Sequence, residues 1–131
     1  ALVEAFWPGP LNIILERTDT VPSRVVAGGE TVALGCLSNP TWRKLSQAVG
    51  QPLCMTSANL TGQADGQLVD LDLAVEQVGD RVDYILDGEA QGTTQSSTIV
   101  DLTGSEPTIL RDGDITAADL DAAVDALTFE S

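Results

Sequence analysis

Three short clusters in this 131-residue chain carry side chains that could do chemistry. Thr56-Ser57-Ala58-Asn59 sets hydroxyls and a carboxamide side by side, directly after the apolar stretch Pro52-Leu53-Cys54-Met55. Hydroxyls and amides both donate and accept hydrogen bonds, so the segment suits a phosphate, a ribose or an amino-acid carboxylate. Ser and Asn also favour turns, and a strand-end turn accounts for the same residues. Ser96-Ser97-Thr98 is a second hydroxyl cluster, at the exit of a polar, glycine-containing loop. Arg111 is the only basic residue after Arg81, and it stands just before Asp112-Gly113-Asp114. A guanidinium forks onto phosphate oxygens, although an Arg among acids can equally pair with one of them. The chain has no histidine. That removes Ser-His-Asp and Cys-His catalysis and the ordinary zinc sites together. Any chemistry rests on carboxylates, hydroxyls, Arg or Lys, backbone amides or a bound metal ion.

Bulk composition narrows the setting. The length allows one domain, and 43% hydrophobic residues are enough for a real core. No apolar run approaches the 18 or so residues of a membrane span, so no membrane partner is expected. The N-terminus, Ala1-Leu2-Val3-Glu4, has no basic segment of a signal peptide and opens inside a helical pattern, which reads as a fragment. Cys36 and Cys54 both sit in apolar, strand-like stretches without a Cys-x-x-Cys pattern. They are expected as buried free thiols, which favours a reducing, cytoplasmic compartment. The net charge of −14 is unevenly spread: residues 1–64 are neutral overall, so residues 65–131 carry all of it. Such an acidic half repels polyanions, nucleic acids among them.

The elements that must position these clusters follow from periodicity and punctuation. Residues 1–6 read as a helix end, broken by Trp7-Pro8-Gly9-Pro10. Strands are expected at Leu11–Glu16, Thr31–Leu37, Pro52–Thr56, Val82–Leu86, Ser97–Leu102 and Thr108–Arg111. The unbroken apolar character of Thr31–Leu37 predicts burial on both faces. A helix starts with Asn39 as N-cap and Pro40 at its first position, turns Trp42, Leu45 and Val49 inward, and stops at Gly50. Another is capped by Asp70 and runs to about Val78. Thr116 and Asp119 resemble a capping box that opens a last helix carrying Leu120, Val124 and Leu127 on its apolar face. Alternating strands and helices followed by two consecutive strands give a mixed α/β domain.

Taken in order, Phe6-Trp7-Pro8-Gly9-Pro10-Leu11, the strand from Thr31 with Asn39-Pro40 after it, Pro52-Leu53 with Thr56-Ser57-Ala58-Asn59, Asp87-Gly88, Ser97-Thr98-Ile99 and Leu110-Arg111-Asp112-Gly113 resemble the YrdC/TsaC family. The likeness runs along nearly the whole chain, and the Trp-Pro-Gly-Pro-Leu and Thr-Ser-Ala-Asn segments are specific as a pair. It implies a twisted, YrdC-like mixed α/β sheet with flanking helices, open to a positively charged cavity. Residues 1–131 would be the C-terminal two-thirds of a single domain whose N-terminal strands are missing. It further implies condensation of L-threonine, bicarbonate and ATP into threonylcarbamoyl-AMP and pyrophosphate, for the threonylcarbamoyl modification of adenosine 37 in tRNA. Mg²⁺ would accompany ATP, with no prosthetic group. By the same resemblance, Thr31, Ser57, Asn59 and Arg111 would bind ATP, and Met55 and Ser97 would line the threonine site.

Two departures stand out. The family's N-terminal third, which carries a Lys-x-Arg motif for phosphates, is absent. In addition, Gly35 and Leu37 stand where the family strand usually has Arg and Pro, the Arg binding threonine's carboxylate. Losing such a charge-assisted contact costs about 1.5–3 kcal/mol. Asn12, in place of a usual Thr, is a minor departure. The resemblance therefore leaves open an active synthase, a truncated and catalytically impaired homologue, and a tRNA- or double-stranded-RNA-binding module. The last is disfavoured by the charge. A sheet lacking its first strands would expose an edge, which predicts a homo-oligomer.

Overall fold

The computed structural model describes residues 1–63, 68–88 and 92–128, with backbone alone at 126–128. The expected loops at 60–67 and 87–95 fall partly outside these residues, and the inward placement of Leu127 lies wholly outside them. Helices α1 (Leu2–Phe6), α2 (Pro40–Val49), α3 (Leu71–Val78) and α4 (Ala117–Thr128) accompany strands β1 (Leu11–Glu16), β2 (Thr31–Gly35), β3 (Thr98–Asp101) and β4 (Thr108–Arg111). The strands form one sheet in the order β2-β1-β3-β4. Strand β1 runs antiparallel to β2 and parallel to β3, and β3 runs antiparallel to β4. This is the expected mixed α/β arrangement.

One face of the sheet makes the core. Leu11 and Ile13 of β1 and Val100 of β3 are buried there with Ile115 and with Leu120 of α4, and Leu2, Phe6, Trp7, Leu102 and Ile109 pack around them. Burying a side chain such as Leu11 stabilises the fold by about 1.5–3 kcal/mol. The Trp7-Pro8-Gly9-Pro10 corner is tied at both sides of its turn. The Trp7 indole N–H donates to the Leu11 carbonyl at 2.8 Å, and the Gly9 N–H donates to the Cys36 carbonyl at 2.8 Å. The corner thus joins α1, β1 and the end of β2.

The capping signals hold. The Asn39 side chain accepts from Trp42 N–H, and Gly50 ends α2 in the left-handed region. Asp70 caps α3. Thr116 and Asp119 exchange hydrogen bonds at the start of α4.

Several expectations fail, each for want of a neighbour. Residues 52–56 and 82–86 form no strand, because neither finds a sheet edge to pair with among the described residues, and β-propensity acts only through such pairing. Strand β2 is largely exposed rather than buried on both faces, because it is an edge strand and pairs with β1 alone. The inner stripe of α2 is not covered: Trp42 is partly buried, but Leu45 and Val49 are exposed. Val124 of α4 is likewise exposed, unlike Leu120. Cys36 and Cys54 are free but exposed, not buried, since the stretches holding them lie outside the core. No described helix is long and apolar enough to cross a membrane.

Candidate functional site

The structure unites two of the predicted site residues. Arg111 Nε–H donates to the Ser97 carbonyl at 2.9 Å, and Arg111 forms no ion pair among the described residues. The expected alternative, pairing with a nearby acid, is not what forms. The cause is local backbone geometry. The β3–β4 register shifts between Ile99 and Val100, so that Ile99 pairs with Arg111 while Val100 pairs with Ile109. Leu110 and Arg111 therefore both oppose Ile99. A bulge of this kind re-aims side chains, and here it turns Arg111 onto the face opposite the core.

Close backbone approach holds Ser97 in place. A Cβ on Gly113 would lie 2.5 Å from Thr98 N and 2.6 Å from Ser96 O, so only glycine lets the 111–114 turn pass the start of β3. Thr98, the third member of the hydroxyl cluster, is fully buried and donates its hydroxyl to the Ile115 carbonyl at 2.7 Å. It is a structural anchor rather than a ligand. Asp114 ties down the preceding loop: it accepts from Thr94 N–H at 2.8 Å and from the Thr94 hydroxyl. Those bonds hold its carboxyl below the usual 3.8, so it is charged at neutral pH. Neither Gly113 nor Asp114 stood out in the sequence as a supporting residue, because the contacts that define their roles bridge separate segments.

Thr56-Ser57-Ala58-Asn59 lies in irregular chain rather than at a strand end. Asn59 donates from Nδ2 to the Leu60 carbonyl at 2.8 Å, and Leu60 N–H donates to Gln77 Oε1 of α3 at 2.8 Å. The segment is thereby fastened to α3. Asn59 Oδ1 is buried and has no hydrogen-bond partner among the described residues. A buried acceptor left unpaired costs about 1–3 kcal/mol, which marks a place where a ligand donor would be accommodated. Ser57 and Met55 are exposed. No hydrogen bond joins Ser57 or Asn59 to Ser97 or Arg111 among the described residues.

Thr31 is exposed and pairs with Glu16 at the far end of β2. It lies four residues along the strand from Gly35, roughly 13 Å at strand spacing. Between the end of β2 and α2 runs a cleft of about 220 Å³, lined by Arg43, Ser46 and Gln47 together with Gly35 and Cys36. None of the six predicted site residues lines it.

Comparison with known proteins places the chain among relatives. Residues 1–113 match the Sua5/YciO/YrdC family model, described as telomere recombination. The threonylcarbamoyl-AMP synthase of Vibrio campbellii is 39% identical over 111 residues, covering 85% of this chain and 58% of that protein. The Bacillus subtilis threonylcarbamoyl-AMP synthase is 32% identical over 124 residues, covering 94% of this chain and 35% of its own. Among solved structures, Pyrococcus abyssi Sua5 complexed with L-threonine superposes with a TM-score of 0.80 at 28% identity, over 94% of this chain and 36% of that one. Escherichia coli YciO gives 0.69 at 29% identity, over 82% and 52%. The chain spans about half the length of the first curated relatives it matches.

Proposed function

The chain belongs to the Sua5/YciO/YrdC family, and from that premise we propose that it is part of a threonylcarbamoyl-AMP synthase. The observation that carries this reading is at Asn59, whose buried Oδ1 lacks a partner among the described residues, within the segment where ATP is expected. In the proposed reaction, the amine of L-threonine bonds to the carbon of bicarbonate, and a water leaves to give a carbamate. Its oxygen bonds to the α-phosphorus of ATP as the bond to pyrophosphate breaks. The protein's task is placement and charge stabilisation. Asn59 and Ser57 would hold the nucleotide, with Thr31 toward it from β2. Arg111, steadied by the Ser97 carbonyl, has guanidinium N–H groups left for phosphate oxygens. Ser97 and the backbone at Met55 would face threonine.

Mg²⁺ fits as a cation carried on the nucleotide phosphates and water. Among the described residues no cluster of three or more His, Cys, Asp or Glu side chains is placed to hold a metal. The product would serve tRNA threonylcarbamoylation. Direct RNA binding by this chain is disfavoured by its net charge of −14. A second reading, a catalytically impaired homologue, is favoured by Gly35, which removes a side chain from the edge of the sheet.

Calorimetric titration with ATP tests the pocket. Asn59→Ala is expected to weaken ATP binding about tenfold, the loss of one hydrogen bond in a desolvated place. Unchanged affinity would refute the assignment of Asn59.

A further inference from the structure

Residues 94–98 and 111–115 are fastened to each other at four places. Gly113 passes close against Ser96 and Thr98. The Thr98 hydroxyl donates to the Ile115 carbonyl, and Arg111 Nε–H donates to the Ser97 carbonyl. The fourth link is Asp114, whose carboxylate accepts from Thr94 N–H at 2.8 Å and from the Thr94 hydroxyl. Gln95 adds hydrogen bonds to the same carboxylate. This link joins residues 20 positions apart. A chemically matched clasp stands at the other end of β3. There Asp101 accepts from Thr103 N–H at 2.9 Å and from the Thr103 hydroxyl at 2.7 Å. That clasp joins residues only two apart and touches no candidate site residue.

We propose that Asp114 is a positioning residue for Arg111. Its carboxylate lays the chain from Thr94 to Ser96 against the 111–114 turn, so that the Ser97 carbonyl arrives where Arg111 Nε–H donates to it. A guanidinium is planar, and fixing one N–H fixes the plane of its fork. The terminal N–H groups then meet a phosphate with less rotamer freedom left to lose, which raises affinity. A carboxylate so close in sequence would ordinarily compete with phosphate for the guanidinium. Here Thr94 and Gln95 occupy the Asp114 oxygens, and Arg111 forms no ion pair among the described residues. The acid serves the loop and leaves the cation to the ligand. This rests on the proposed synthase reading, in which Arg111 meets the phosphates of ATP. The competing role is purely structural, with the clasp holding a surface loop and nothing more.

Two measurements separate the roles. Hydrogen exchange at Arg111 Nε–H, followed by nuclear magnetic resonance, should quicken severalfold in Asp114→Ala and stay as in the wild type in Asp101→Ala. In calorimetric titration, Asp114→Ala should bind ATP about three- to tenfold more weakly. Removing a negative charge near the phosphates would by Coulomb's law alone strengthen ATP binding, so a loss is diagnostic. Thr94→Val, nearly isosteric and at an exposed position, removes the hydroxyl arm without threatening the fold and should show a smaller loss in the same direction. Adenosine, which has no phosphate, should bind the wild type and both variants alike. In the Arg111→Ala background, Asp114→Ala should cost no further ATP affinity, and Asp101→Ala should stay within about twofold of the wild type. Wild-type ATP affinity in both Asp114→Ala and Thr94→Val, equal losses for ATP and adenosine, an undiminished loss without Arg111, or unchanged exchange at Arg111 Nε–H would overturn the proposal while leaving the synthase reading intact. Absence of ATP binding by the wild type would overturn both.

Discussion

Gly113→Ala is expected to destabilise the protein by about 1–3 kcal/mol, and to lower its melting temperature by several degrees. The added methyl would meet Thr98 N at 2.5 Å, Ser96 O at 2.6 Å and Thr98 Oγ1 at 2.7 Å. Two of these atoms are backbone and have no rotamer to escape into. Moving them strains bonds that hold β3 in the fold: Thr98 N–H donates to Pro10 O at 3.0 Å, and its hydroxyl donates to Ile115 O. The damage reaches the site as well, because Ser97 lies between the two displaced residues and its carbonyl receives Arg111. Gly104 provides the control. A Cβ there meets nothing closer than Glu106 O at 3.5 Å, so Gly104→Ala should change stability by no more than about 0.5 kcal/mol. Thermal denaturation followed by circular dichroism measures both variants, and equal melting temperatures would contradict the close approach.

Arg111→Ala carries the largest expected effect on binding. The guanidinium spends Nε–H on the Ser97 carbonyl, which fixes its plane and leaves its terminal amino groups for a ligand. A charge-assisted contact of this kind is worth about 1.5–3 kcal/mol, so the variant should bind ATP on the order of 10- to 100-fold more weakly. Arg111→Lys should recover only part of the loss, since an ammonium restores the charge but not the fork or the Ser97 tether. Isothermal titration with ATP gives the answer. Wild-type affinity in the alanine variant would remove Arg111 from the site and return it to a structural role.

Local signals carried much of the fold. Asn39, Pro40 and Gly50 bracket α2, Asp70 opens α3, and the Thr116–Asp119 pair opens α4, because caps act within one turn of chain. Strands β1, β3 and β4 were legible for a similar reason: branched apolar residues lie between clear breakers. Long-range pairing was not legible. Residues 52–56 and 82–86 have the composition of strands yet form none, and β2 is an exposed edge despite its apolar run. The exposure of Cys36 and Cys54 follows from the same cause.

The site divides along the same line. Ser97 and Arg111 could be picked out by residue type, and the bulge at Ile99 that brings them together could not. Asn12 read as a minor change from threonine. Its side chain stands over Gly35, a contact set by strand register across 23 positions of sequence. Gly35 alone read as the loss of a contact. Paired with Asn12 it becomes a place where one residue's side chain has been taken over by its neighbour's.

The synthase reading is tested most directly by pyrophosphate release from ATP, measured with L-threonine and bicarbonate supplied together and then with each withheld. The account predicts release that requires both, since the carbamate they form is the nucleophile. Release that is indifferent to threonine, or none with all three substrates present, would contradict it.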